Sequence, residues 1–188
     1  MGLDISAVTK YKIHELNASS RGKLDCAGFF GVHQPKTFEK HLSGDIKEGV
    51  ICEIIEQADS EYSNGYAGHS VFRNELAWVA GYKGKTTPKP NYLDPEFERK
   101  SYEHNFPYVA GMYEVEDLTL EMPFVAIIHF SDCEGIIGNK LCRVLSKDFS
   151  KYRDSAKEKL DEWSFKKYEE LALCVQSAAV SGGFLRFW

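Results

Sequence analysis

Phe124–Gly138, FVAIIHFSDCEGIIG, is the stretch on which the reading of the fold turns. Val125, Ile127, Ile128 and Phe130 form a short apolar run that stops at Ser131-Asp132-Cys133-Glu134-Gly135. A continuous run of this length reads as a strand buried on both faces, because alternation is lost when neither face meets water. The sequence therefore predicts a central strand over Phe124–Phe130, with a polar turn at its C-terminal end and a helix beyond. In sheets flanked by helices, that end of a strand is a common position for a ligand.

Working outward, Ile5, Ala7, Thr9, Tyr11 and Ile13 alternate with Ser6, Val8, Lys10, Lys12 and His14, the period of a half-buried strand. Gly49–Glu56, GVICEIIE, reads as a second strand, and the polar, glycine-containing Asp59–Gly68 as a surface loop. Asn17–Gly31 is rich in turn formers and reads as an ordered loop. Phe72, Leu76, Val79 and Ala80 share one helical face, with Ser70 as N-cap and Gly81 as the stop. Lys83–Pro107 carries four prolines among many charges and predicts a long exposed excursion, while Met112–Leu120 reads as a further strand. Leu141, Val144, Leu145, Phe149 and Tyr152 predict one late helix; Phe165, Tyr168, Leu171, Val175 and Ala178 predict another, ended by Gly182-Gly183. The apolar tail Phe184–Trp188 should pair as a final strand. These elements predict an α+β fold: a single domain over residues 1–188, with a mixed central sheet and helices packed against it.

The bulk numbers fit that reading. At 188 residues with 43% hydrophobic content, the chain is long enough for a sizeable core. A formal net charge of −5 argues against an extended nucleic-acid surface. No apolar stretch approaches the ~20 residues that span a bilayer, so no membrane association is expected. The Met1-Gly2 start with Ser6 also matches an N-myristoylation pattern, although Leu3 and Ile5 already belong to the alternating strand. Cys26, Cys52, Cys133, Cys142 and Cys174 are widely spread and form no CxxC pair, which predicts free thiols in a reducing cytoplasm. Cys52, Cys142 and Cys174 sit among apolar neighbours and should be buried.

Three segments together carry a resemblance: Met1-Gly2-Leu3-Asp4-Ile5, Gly65–Arg73 (GYAGHSVFR), and Phe130–Gly138 with its Phe-Ser-Asp-Cys-Glu-Gly block. They resemble a family of proteins encoded by bacteriophages, prophages and their hosts, for which no activity is established. The resemblance implies a phage or mobile-element accessory protein and assigns no catalytic residue.

Two clusters carry candidate chemistry. Asp132 and Glu134, two apart on a turn, can converge on one cation or divide acid and base roles; they fit helix capping and loop hydrogen bonds equally well. Ser131, Cys133 and His129 lie beside them. His69, Ser70 and Arg73 form the second cluster at an expected helix start, where backbone amides attract anions and a guanidinium can hold a phosphate or carboxylate. The alternative there is capping by Ser70 and an Arg73 ion pair with an acid such as Glu75. No P-loop, GxGxxG, HExxH or GxSxG occurs.

The expected ligand-binding residues are therefore His69, Ser70, Arg73, Ser131, Asp132 and Glu134, with no catalytic set, metal or cofactor assigned. The expected function is non-catalytic binding or sequestration of a small anionic, nucleotide-like ligand, aided by tyrosines from the middle of the chain. A metal-dependent hydrolase built on Asp132 and Glu134 is one alternative. A protein–protein inhibitor acting on a host or phage protein through Lys83–Pro107 is another, and a homo-oligomer is compatible with all three.

Overall fold

The computed structural model describes residues 2–15, 28–32, 46–47, 49–82, 122–128, 130 and 135–188. The alternating N-terminus forms strand β1 (Gly2–Glu15), followed by β2 (Phe29–Gly31) and a long β3 (Val50–Gly65). Next come helices α1 (Tyr66–Ala80) and α2 (Val125–Ile128), then strand β4 (Gly135–Ile137). Helices α3 (Asn139–Lys151), α4 (Arg153–Lys159) and α5 (Glu162–Ser181) precede the final strand β5 (Phe184–Phe187). The strands make one sheet in the order β2-β3-β1-β5-β4.

The fold is α+β, as the sequence predicts. Its sheet, expected to be mixed, is antiparallel at every pairing among the described strands. The centre is β1, which pairs with β3 along most of its length and with β5 from Ile5 to Val8. The terminal residue is stitched to the same strand, with Trp188 and Asp4 exchanging backbone hydrogen bonds of 3.0 Å. The two outermost described strands are three residues each, and β2 pairs with β3 only over Ile51–Glu53.

The decisive run is not a strand. Val125–Ile128 closes a single helical turn, with the Ile128 amide donating to the Phe124 carbonyl at 2.9 Å. All four of its residues are buried. Short apolar runs fit a buried strand or a buried helical turn equally, since periodicity vanishes in both. Here capture by side chains distant in sequence decides between them. The Asp148 carboxylate accepts the Phe124 amide at 3.0 Å, the Tyr82 hydroxyl donates to the Pro123 carbonyl at 2.7 Å, and Phe124 takes a positive φ of 57°. These bonds bend the chain where an extended strand would have to pass.

Asp59–Gly68, expected as a loop, is the second half of β3 and the start of α1. Tyr62 and Asn64 turn inward while Glu61, Ser63 and Gly65 face solvent, a period of two written in polar residues. The expected alternation along β1 is also broken. Register shifts between Ser6 and Tyr11 mark bulges, which add a residue to one strand and turn the side chains beyond. Leu3, Ile5 and Ala7 therefore join the main core, Val8 joins a smaller cluster with Cys52, Ile136 and Phe184, and Ile13 is left 40% exposed.

The C-terminal half follows the sequence reading closely. Helix α5 packs across β1, β3 and β5 and against α3. Its N-cap, Asp161, accepts the Ser164 amide at 2.8 Å. It ends at Gly182 in the left-handed conformation, as α1 does at Gly81. The predicted excursion Lys83–Pro107, the predicted strand Met112–Leu120, most of Asn17–Gly31, His129 and the Ser131–Glu134 turn lie outside the described residues; within Asn17–Gly31, Phe29–Gly31 is β2.

Candidate functional site

Helix α1 is amphipathic in an unusual sense, because its buried surface includes charge. His69 is 4% exposed, Arg73 4%, Asn74 5% and Glu75 1%. The helix begins at Tyr66 with Gly65 as its N-cap, five residues earlier than the expected Ser70 cap. Ser70 is thus inside the helix, and its carbonyl accepts the Asn74 side-chain amide at 3.0 Å. The helix-start anion cradle expected from Ser70 and His69 does not form, since the amides of that turn lie within the helix.

Arg73 is placed differently from a surface cation. One guanidinium nitrogen, Nη1, donates to the Phe130 carbonyl at 2.7 Å and to the Ile128 carbonyl at 3.3 Å. It thereby ties α1 to the C-terminal end of the α2 turn, at the residue that leads into Ser131. Glu75, considered from sequence as a surface partner for Arg73, is buried and accepts the Ser164 hydroxyl at 3.0 Å. That bond joins α1 to α5.

His69 closes a polar chain that starts on β3. The Asn64 amide donates to the Tyr62 hydroxyl at 3.0 Å, and that hydroxyl lies 3.2 Å from His69 Nδ1. Burial, reinforced by the nearby Arg73 charge, lowers the His69 pKa from 6.5 to about 3. Burial likewise pushes the Tyr62 phenol above its usual range. Both groups are neutral near pH 7. Phe187 completes the neighbourhood, stacking on Phe130 with ring centroids 3.8 Å apart and meeting His69 edge-on at 6.4 Å.

Of the residues expected to bind a ligand, the structure thus places Arg73 on the Phe130 carbonyl and His69 against Phe187, which itself stacks on Phe130, and leaves Ser70 on the helix with a structural bond. Ser131, Asp132 and Glu134 lie outside the described residues, as do His129, Cys133 and Cys26. Tyr62 is among the mid-chain tyrosines expected to aid binding, but its place in a buried strand beside His69, and Asn64 altogether, were missed because their segment reads as a loop. The signal that would have found them is the inward period of two through Tyr62 and Asn64. Among the described residues, no cluster of three or more His, Cys, Asp or Glu is placed to hold a metal ion.

The three described thiols are buried, as the sequence predicts. Burial raises Cys52 and Cys142 to about 12 and Cys174 to about 11. Only the thiolate is nucleophilic, so at pH 8 roughly one molecule in a thousand or fewer carries one at each position. Iodoacetamide at pH 8 should leave all three unmodified in the native protein and label them fully in denaturant. Peptide mass mapping reads the result, and labelling of any of them in the folded state would contradict the burial described.

No protein-family model, curated protein or solved structure matches this chain.

Proposed function

We propose that this chain is a non-catalytic binding protein that sequesters a small anionic, nucleotide-like ligand, in the setting of a phage or mobile-element accessory protein. The observation that carries the proposal is a buried guanidinium, Arg73, beside the neutral imidazole of His69 at the lead-in to Ser131. A fixed positive charge in a low-dielectric site attracts an anion far more strongly than the same charge on the surface. Neutral donors beside it give direction to the binding without adding a proton-transfer group.

The non-catalytic part rests on protonation states. A His69 conjugate acid with a pKa near 3 makes a weak base at neutral pH, and the three described thiols stay protonated. The phage setting rests on the resemblance of the Met1–Ile5, Gly65–Arg73 and Phe130–Gly138 segments.

The test is a thermal-shift screen of mononucleotides, cyclic nucleotides and non-nucleotide anions against the whole chain. A ligand present at a hundred times its Kd stabilises the folded state by about 2.7 kcal/mol. For a chain of this size that is a rise of about 5–11 °C in Tm. At least one nucleotide should produce it. A screen in which no anion raises Tm would overturn the proposal.

A further inference from the structure

The Asn64–Tyr62–His69 chain, with the Tyr62 proton turned toward His69, leaves one hydrogen-bond donor over. Because the Tyr62 hydroxyl accepts from Asn64, its own proton is available for His69 Nδ1. A neutral imidazole that accepts at Nδ1 carries its proton on Nε2. That Nε2 is buried and has no hydrogen-bond partner among the described residues. Buried polar groups are nearly always paired, so a leftover N–H at such a site calls for an acceptor.

We propose that the His69 Nε2–H donates to an oxygen of the bound ligand's phosphate group, with Arg73 supplying the balancing charge and Asn64–Tyr62 fixing the imidazole tautomer. The inference rests on the binding reading above and adds the recognition chemistry. A neutral donor selected by a relay accepts no competing role as a metal ligand or base while Tyr62 occupies Nδ1. Arg73, anchored on the Ile128 and Phe130 carbonyls, holds its charge in place whether or not a ligand is present. Tyr62 and Asn64 are then positioning residues, since they act on the ligand only through His69.

The experiment uses ¹⁵N-histidine-labelled whole chain, with inorganic phosphate and adenosine monophosphate as probes. In the unliganded protein, His69 should show the Nε2–H tautomer, and either probe should shift its Nε2 resonance. Tyr62→Phe should weaken binding about fivefold, the worth of one net hydrogen bond, while releasing the tautomer preference. His69→Met should weaken it at least tenfold, and His69→Gln, which keeps a neutral N–H, should recover part of the loss. An Nδ1–H tautomer in the wild type overturns the inference even if every variant misfolds. So does an Nε2 resonance indifferent to both probes while the thermal-shift screen finds a ligand, and in that case the binding reading survives. If the screen finds no ligand either, the binding reading falls as well.

Discussion

Arg73→Ala should lower the free energy of unfolding by about 3 kcal/mol. A hydrogen bond from a charged donor contributes about 1.5–3 kcal/mol, and among the described residues the Arg73 guanidinium makes two to backbone carbonyls, at 2.7 and 3.3 Å. The longer bond contributes less, and relief of a buried charge offsets part of the loss. For this chain length the change is about 6–12 °C in Tm. Arg73→Lys should recover about half, because one ammonium can satisfy the Phe130 carbonyl without the planar fork. Urea denaturation of the three proteins measures it. A loss below about 0.5 kcal/mol in Arg73→Ala, the range of ordinary surface substitutions, would mean that the guanidinium does not hold the α2 turn. Because the side chain is structural, lost ligand binding in Arg73→Ala would not by itself identify Arg73 as a ligand contact.

Gly183→Ala should be more damaging still, and its neighbour supplies the control. Gly183 sits between α5 and β5 where the chain passes against β1. A Cβ there would collide with the Val8 carbonyl oxygen and come within 2.8 Å of the Val8 carbonyl carbon. Backbone cannot rotate away as a side chain can, so β5 would have to lift from its Phe184–Val8 pairing. Overpacking usually costs about 1–3 kcal/mol, and a collision with main chain belongs at or above the upper end. Gly182→Ala meets nothing within 4 Å and bears only the left-handed penalty of φ 79°, about 1 kcal/mol. The unfolding free energies of the two variants should therefore differ by about 2 kcal/mol or more. Equal losses would show that close approach to β1 is not what requires glycine at 183.

The parts of the fold that were legible in the sequence are those where one physical signal acts alone. Helices α3 and α5 repeat apolar residues at helical spacing and, for α5, end on a glycine; β5 announces itself as an apolar tail after that stop. The run Val125–Ile128 was misread because burial on all sides erases periodicity, leaving Asp148, 24 residues from Phe124, to decide its shape. Tyr62 and Asn64 were misread because their inward pattern is written in polar residues, and polarity was taken for exposure. Of the candidate site, His69 and Arg73 were identified by type, but for a surface helix start. Their observed surroundings are set by Tyr62, Phe130 and Phe187, contacts that no local pattern encodes.

The most direct test of the binding reading is the fate of the ligand. The nucleotide that most stabilises the whole chain should be incubated with it at neutral pH, with and without added divalent metal, then released by denaturation and weighed by mass spectrometry. A sequestering protein returns the compound with its mass unchanged under both conditions, in amounts matching the protein. A hydrolysed or otherwise altered product, in either condition, would contradict the account and transfer the function to an enzyme built around Asp132 and Glu134.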